Sequence, residues 1–154
     1  MLTTDSIRNR MVRQGEGLLS QVLPERVTQS NDTVRPYPRN RCIHETFAEQ
    51  AQLRPDAVAV VYEDKSLTYA ELNVQANQLA RWLIEQGVGP DTRVGVCMDR
   101  SLEMMVALVG ILKAGGAYLP LDPGYPTERL RFMLADAAAP VVLTQEHLRS
   151  RLPE

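Results

Sequence analysis

The sequence predicts an α/β protein in which helices flank an open, mostly parallel sheet. From residue 94 onward, short β-rich runs alternate with helical segments. The predicted alternation is strand Val94–Met98, helix Ser101–Ala114, strand Tyr118–Leu121, helix Pro126–Ala137, strand Val141–Leu143 and helix Gln145–Leu152. Strands separated by single helices of this length are typical of parallel neighbours joined by right-handed crossovers. We therefore expect a Rossmann-like sheet.

The segment before this alternation predicts a helix, a hairpin and a second helix. Apolar residues recur at helical spacing over Ile43–Leu53, and Val58–Tyr62 is β-rich. A polar turn at Glu63–Ser66 then leads to the second arm of the hairpin. Thr68 and Glu71 have the spacing of a capping box, in which two side chains satisfy two free backbone N–H groups at a helix start.

The stretch Leu112–Pro126, LKAGGAYLPLDPGYP, predicts a helix exit followed by a strand and a turn. Gly115 and Gly116 follow the helix, where a left-handed residue is common and glycine adopts it without steric cost. Phosphate-binding glycine loops instead follow a strand and open a helix. This order favours a structural turn over a nucleotide site, and Asp122 is predicted to shape the turn after the strand.

Composition and charge are those of an ordinary globular domain. The chain has 154 residues, 44% hydrophobic and 23% charged. It shows neither a membrane-length apolar run nor a signal pattern, so a cytoplasmic location is the default expectation. Residues 1–41 carry seven arginines against four acidic residues, a net +3. These arginines are scattered, which favours a solvated linker over a nucleic-acid or lipid contact. A weak helical pattern over Asp5–Leu23 is interrupted by glycines.

The chemically reactive residue types form no evident site. Cys42 and Cys97 lack metal-ligand spacing, and Cys97 lies in a strand-like run that predicts burial. His44 and His147 are each isolated and are expected to be exposed or hydrogen-bonded. The helix Ser101–Ala114 is apolar almost all round, so we expect cover on more than its sheet-facing side and infer that part of the domain is missing.

Two motifs carry a family resemblance. LTYAELN (Leu67–Asn73) and LKAGGAYLPLDPGYP are similar to the first two core motifs of the amino-acid adenylation domains of nonribosomal peptide synthetases, in the adenylate-forming ligase superfamily. The second motif is specific, because the superfamily members that activate fatty acids or acetate diverge from the sequence YLPLDP. The resemblance covers about residues 30–152. It implies an incomplete, amino-terminal portion of that fold in residues 42–154.

The preceding arm has a resemblance of its own. NDTVRPYPRNRCIHE (Asn31–Glu45) resembles the connector between a condensation domain and an adenylation domain, although Ser30 stands where tryptophan is frequent. Residues 1–41 are therefore predicted to be a linker or tail. The resemblance implies condensation and carrier domains as partners. The scattered arginines and the lack of a membrane-length apolar run predict neither a nucleic-acid partner nor a membrane.

The resemblance also implies a chemistry. Intact family members use ATP and Mg²⁺ to convert an amino acid to aminoacyl-AMP, and then transfer the acyl group to a carrier phosphopantetheine thiol. The family's phosphate loop, pocket residues and late catalytic lysine belong to motifs that would follow Glu154. We therefore assign no catalytic, cofactor-binding or metal-binding residue and expect the fragment to be inactive alone, without a cofactor. The residues predicted to matter structurally are Thr68, Glu71, Gly115, Gly116 and Asp122.

Two other interpretations remain open. One is a non-catalytic interaction module that docks on a partner synthetase through the apolar helix. The other is a small dinucleotide-binding protein, which is disfavoured because no glycine fingerprint follows any predicted strand.

Overall fold

The computed structural model describes residue 36 and residues 39–153. Most of the predicted linker 1–41, including the weak helix over Asp5–Leu23, lies outside these residues. The elements in chain order are α1 (Ile43–Leu53), β1 (Val58–Tyr62), β2 (Lys65–Thr68), α2 (Tyr69–Glu85), β3 (Arg93–Cys97), α3 (Leu102–Lys113), β4 (Ala117–Pro120), α4 (Thr127–Asp136), β5 (Val141–Thr144) and a 3₁₀ helix (Glu146–Arg151).

A three-stranded parallel sheet forms the centre of this unit. Its strand order is β4–β3–β5, and β3 pairs in parallel with both neighbours. Gly95 in the middle of β3 is paired with Leu119 on β4 and with Val142 on β5. The parallel arrangement predicted from the strand–helix alternation is therefore confirmed.

Successive residues of β3 face two separate cores, as the two-residue period of a strand requires. Val94 and Val96 pack with Ile111 of α3 and Leu83 of α2, whereas Cys97 packs with residues that include Leu130 of α4. Helices consequently cover both faces of the sheet. This layering explains why β3 is buried almost throughout.

Gly95 allows the close approach of α4 to the sheet. A Cβ at this position would lie 3.1 Å from Leu134 Cδ2, and 3.2 Å from side-chain carbons of Leu121 and Val142. These distances are shorter than ordinary carbon–carbon contacts, so a side chain here would push the second core apart. The glycine between two valines of β3 thus has a packing role.

The loop of the hairpin is shorter than the sequence predicts. β1 and β2 pair antiparallel, and Tyr62 is opposite Lys65. Only Glu63 and Asp64 form the loop, and Glu63 adopts a positive φ of 54°. Placing Lys65 and Ser66 in the turn was therefore wrong, because a two-residue loop with a left-handed residue matches the twist of the paired strands and lets pairing begin at Lys65.

Two helices end on a left-handed glycine, the feature that the sequence predicts for the end of α3. Gly87 after α2 and Gly115 after α3 both have φ of 85°. In each case the next residue donates a backbone hydrogen bond to the last turn: Val88 to Leu83 at 2.9 Å and Gly116 to Ile111 at 3.0 Å. These bonds satisfy carbonyl groups that the helix itself leaves free.

The last element differs in type from the prediction. Residues 146–151 form a 3₁₀ helix instead of an α-helix. The segment is only six residues long, and tight i→i+3 bonds are common in such short pieces.

Within residue 36 and residues 39–153, no helix combines the length and hydrophobicity that a membrane crossing requires.

Candidate functional site

A groove of about 490 Å³ lies where β3 and β4 end. In open α/β sheets, ligands bind in the crevice at the carboxyl ends of the strands, so this groove is the candidate site. Its wall is apolar and includes Met104 and Leu108 of α3. Its charged residues are Asp99, Arg100 and Asp122, which follow the two strands.

A polar network fixes the loop between β3 and α3. The Asp99 backbone N–H donates a hydrogen bond to Gln145 Oε1 at 2.8 Å, and His147 Nε2 lies 2.8 Å from Asp99 Oδ2. Gln145 Nε2 donates to Ser101 Oγ at 3.3 Å, and this oxygen also accepts from the Met104 N–H at the start of α3. The network joins the 3₁₀ helix to the groove. His147 is exposed and hydrogen-bonded, as expected from the sequence.

Asp122 shapes the turn on the other side of the groove. Its Oδ1 accepts a hydrogen bond from the Gly124 N–H at 2.8 Å. Aspartate favours such turns because its short side chain reaches the backbone two residues ahead. The side chain predicted to form the strand-end turn therefore also lies on the rim of the groove.

The buried thiol of Cys97 is not poised for nucleophilic chemistry. Burial raises the pKa of Cys97, and the nearby carboxylates of Asp122 and Asp99 raise it further. The thiolate, which is the reactive form, is thereby disfavoured. The predicted burial of Cys97 is confirmed.

By itself, the rim of the groove does not fit a nucleoside triphosphate. Two carboxylates stand against one guanidinium, so the local charge opposes phosphate. Pro123 has no N–H group, and the Gly124 N–H is already donated to Asp122. In the part of the chain that the structure describes, no group of three or more potential metal ligands is assembled.

Both lysines lie away from the groove. Lys65 is on the exposed hairpin strand β2, and Lys113 is in the last turn of α3. α3 begins beside the groove and runs for 12 residues, so its two ends are separated by about 18 Å. Lys113 thus lies near the opposite end of the strands, where β4 begins.

Lys113 makes contacts that sequence reasoning missed. Its Nζ donates to Asn73 Oδ1 and Asn77 Oδ1, both at 2.7 Å, and lies 5.7 Å from the centre of the Phe47 ring. Burial lowers the pKa of the Lys113 ammonium. For a lysine in the last turn of a helix, the sequence alone predicts only a favourable interaction with the helix dipole. Two asparagines four residues apart on one helix face were the available signal.

The remaining predicted structural residues lie at helix ends and do not gather into one site. At the start of α2, the Glu71 N–H donates to Thr68 Oγ1 at 3.2 Å, and Glu71 Oε2 accepts from the Thr68 N–H at 2.8 Å. The capping box is therefore present. At the end of α3, Gly115 is left-handed, whereas Gly116 is buried against Val88.

A second, apolar groove of about 310 Å³ lies between α1 and α3. Its lining is mostly hydrophobic and comprises Ile43, His44, Phe47, Met105, Leu108, Val109, Leu112 and Tyr118. Ile43 is 73% exposed and Tyr118 is 45% exposed. One side of the apolar helix α3 therefore remains open within the described residues.

Comparisons with known proteins agree on one family. The family model described as AMP-binding enzyme matches residues 47–154. One linear gramicidin synthase of Brevibacillus parabrevis is 57% identical over 126 residues, which is 82% of this chain and 2% of the relative. One mycosubtilin synthase of Bacillus subtilis is 56% identical over 123 residues, or 80% of this chain and 5% of the relative. The chain thus spans a very small share of these relatives.

Solved structures support the same assignment. The crystal structure of the nonribosomal peptide synthetase FmoA3 aligns with a TM-score of 0.74 and 44% identity, over 81% of this chain and 13% of that one. The amino-terminal subdomain of Klebsiella oxytoca NpsA aligns with a TM-score of 0.66 over 74% of this chain and 29% of that one. At 24% identity, the NpsA comparison supports the fold alone.

Proposed function

The chain belongs to the AMP-binding enzyme family, and on this premise we propose that it is the amino-terminal scaffold of an amino-acid adenylation domain in a nonribosomal peptide synthetase. The observation that carries the proposal is its similarity, at 57% and 56% identity, to two peptide synthetases of which it spans only 2% and 5%. Within such a domain, residues 42–154 would supply the parallel sheet and its covering helices. Residues 1–41 would connect this domain to a preceding condensation domain, as the resemblance of Asn31–Glu45 to such connectors suggests.

The complete domain would activate an amino acid with ATP. The amino-acid carboxylate attacks the α-phosphate, and pyrophosphate leaves as aminoacyl-AMP forms. The acyl group then passes to the phosphopantetheine thiol of a carrier protein, which releases AMP. A form of FmoA3 with bound alpha-methyl-L-serine-AMP aligns with 80% of this chain at a TM-score of 0.73, which supports a product of this class. Mg²⁺ would offset the phosphate charge, and a cytoplasmic location would supply the ATP.

We further propose that these residues alone do not catalyse adenylation. The groove at the strand ends offers phosphate one guanidinium against two carboxylates. The cationic and N–H donors of a nucleotide site would therefore come from elsewhere in the synthetase. The role of the present residues is to hold the sheet and helices against which that site is built.

The experiment is a gain of function by fusion. Residues 1–154 are joined to the segment of the 57% identical linear gramicidin synthase that follows its matching region, and amino-acid-dependent ATP–pyrophosphate exchange is measured. The fusion should show exchange, and residues 1–154 alone should show none. The intact gramicidin adenylation domain is the positive control. An inactive but folded fusion, or exchange by residues 1–154 alone, would contradict the proposal.

The open apolar groove between α1 and α3 favours a second candidate, a non-catalytic module that docks on a partner synthetase. Such a module has to be well behaved by itself. We would then expect residues 1–154 to be monodisperse and to melt cooperatively. Aggregation with a broad melting transition would instead favour the scaffold of a larger domain.

A further inference from the structure

The side chain of Gln145, at the end of β5, bridges two points of the loop that joins β3 to α3. This loop comprises residues 98–101. Gln145 Oε1 accepts a hydrogen bond from the Asp99 backbone N–H at 2.8 Å, and Gln145 Nε2 donates to Ser101 Oγ at 3.3 Å. Because a backbone N–H can only donate, this pairing also determines which way the amide is turned.

The interior of the loop has few other restraints. Its two ends are fixed, because β3 pairs with both of its neighbours and α3 packs in the core. Between those ends, Met98, Asp99 and Arg100 make no backbone–backbone hydrogen bond with any residue in the range 39–153. Ordering such residues costs conformational entropy that some contact must offset. The covalent connections thus fix where the loop begins and ends, but not its conformation.

His147 is the alternative restraint, and it acts on a different part of the loop. Its Nε2 lies 2.8 Å from Asp99 Oδ2, and both side chains are exposed. Exposed ion pairs contribute little stability because water screens them. The contact also involves only the carboxylate, so it leaves the backbone of the loop free to turn.

Gln145 is itself held firmly enough to position another group. The preceding residue, Thr144, pairs with Cys97 of β3, and its Oγ1 donates to the Cys97 carbonyl oxygen at 2.8 Å. On the other side, the Gln145 carbonyl oxygen accepts from the N–H of the buried Leu148 at 2.9 Å. A side chain that orders a neighbour has to stand on a rigid element. The end of β5 provides one.

We propose that Gln145 is a positioning residue that selects one conformation of the loop 98–101 and thereby shapes the groove at the ends of β3 and β4. Met98, Asp99 and Arg100 all line that groove. Without the amide, the loop would sample several conformations, and the guanidinium of Arg100 would lose its defined place on the rim. The inference concerns the shape of the groove and does not depend on the proposed function.

A nitroxide spin label can report the order of the loop in the full chain. One label is attached at Arg100→Cys. A reference label is attached at Tyr125→Cys, an exposed position in the turn beside Asp122. Every protein carries Cys42→Ser, which removes the exposed native thiol, while Cys97 is buried.

The main comparison is between the native glutamine and Gln145→Met, which has a similar length but makes neither hydrogen bond. The label at position 100 should gain a mobile spectral component, and the label at position 125 should not change. Gln52→Met is the matched control, because Gln52 is exposed on α1. It should leave both spectra unchanged.

Solvent exchange of the Asp99 amide provides a second measurement. In Gln145→Met it should be about fivefold faster, because the net contribution of one neutral hydrogen bond corresponds to a factor of about that size. The Gly124 N–H, which donates to Asp122 Oδ1, is the internal reference and should not change. His147→Ala should accelerate Asp99 much less than Gln145→Met does.

Gln145→Glu separates hydrogen bonding from side-chain volume. An ionised carboxylate cannot donate to Ser101 Oγ, whereas a carboxylic acid has a donor and an acceptor, as the amide has. The label at position 100 should therefore be mobile at pH 7 and ordered below about pH 4, once the introduced carboxyl is protonated. Gln145→Met contains the same Asp99 and His147 and should be mobile at both pH values, so it controls for their titration.

Three results would overturn the proposal. The first is a native spectrum at position 100 in Gln145→Met, which would show that the ends of the loop suffice to order it. The second is an equal gain of mobility at positions 100 and 125, or loss of the helical circular-dichroism signal, which would make Gln145 a support of the whole fold. The third is a Gln145→Glu label that is equally mobile at both pH values while the circular dichroism is native.

Discussion

Gly115 and Gly116 are adjacent, and we predict that substituting each one destabilises the protein for a different reason. A Cβ at Gly116 would lie 2.8 Å from Val88 Cγ1 and 3.1 Å from the Thr92 carbonyl oxygen. That carbonyl cannot easily move, because it accepts a 2.8 Å hydrogen bond from the Ala117 N–H. Gly116→Ala should therefore lower the free energy of unfolding by about 2–3 kcal/mol, the upper part of the range for overpacking.

Gly115 has room for a side chain, but its backbone conformation disfavours any residue other than glycine. The nearest atoms to its added Cβ are 3.6 Å away, and its φ is 85°. Gly115→Ala should thus lower the free energy of unfolding by about 1 kcal/mol through left-handed strain. Asparagine enters this region more readily, so Gly115→Asn should be milder than alanine. At Gly116 the larger asparagine should be worse than alanine.

Urea denaturation of the full chain provides the measurement. Far-UV circular dichroism and the fluorescence of Trp82, the single tryptophan, are followed together. Gly89→Ala is the matched control, because its added Cβ meets no atom within 4 Å and its φ is not positive. It should be neutral or stabilise by up to about 1 kcal/mol, since it restricts the unfolded chain.

Two results would contradict a steric limit at Gly116. Equal losses for Gly116→Ala and Gly89→Ala would show that the core around Val88 adjusts freely. A milder effect of asparagine than of alanine at Gly116 would show that backbone conformation, and not contact, limits that position.

Three further predictions concern helix ends and thiols. Thr68→Ala should lower the free energy of unfolding by about 1 kcal/mol through the lost cap. Hydrogen bonds from the Thr68 backbone N–H and side chain lower the pKa of Glu71, so their stabilisation is present above about pH 4.5 and is lost as the pH falls through the folded pKa. In Thr68→Ala only the backbone bond remains, so the loss of stability in acid should be smaller than in the native protein. In a thiol-labelling assay, Cys42 should react quickly and Cys97 only on unfolding, because Cys97 is buried; two fast thiols in the native protein would contradict this. Ala138 follows α4 with φ of 48°, so Ala138→Gly should raise the urea midpoint by relieving up to about 1 kcal/mol of strain; an unchanged or lower midpoint would be contrary evidence.

The accuracy of the sequence predictions followed the range of the interactions concerned. The bounds of α1 and β1 and the capping box at Thr68 were predicted correctly. Such features depend on residues within one or two turns of each other. The hairpin loop was predicted too long, because strand pairing continues up to a left-handed residue that the polar sequence Glu63–Ser66 does not single out.

The candidate site was only partly accessible from sequence. Asp122 was predicted as a turn residue, but its place on the groove rim depends on β4 lying beside β3. The network of Asp99, Gln145 and His147 was not predicted, because Asp99 is separated from the other two by 46 and 48 residues. Contacts of this separation form only once the parallel strands bring their carboxyl ends to one edge.

The amino-acid sequence by itself determined the family, the alternation of strands and helices, the capping box at the start of α2 and the glycine exit of α3, because these are encoded by neighbouring residues and short motifs. Tertiary structure alone decided which glycine is a conformational requirement and which is a packing requirement. It also decided that Lys113 donates hydrogen bonds to Asn73 and Asn77, which are 40 and 36 residues away in the chain. The physical reason is that helix caps are satisfied within a single turn, whereas steric exclusion and the partners of a partly buried charge are defined only by the packed neighbours.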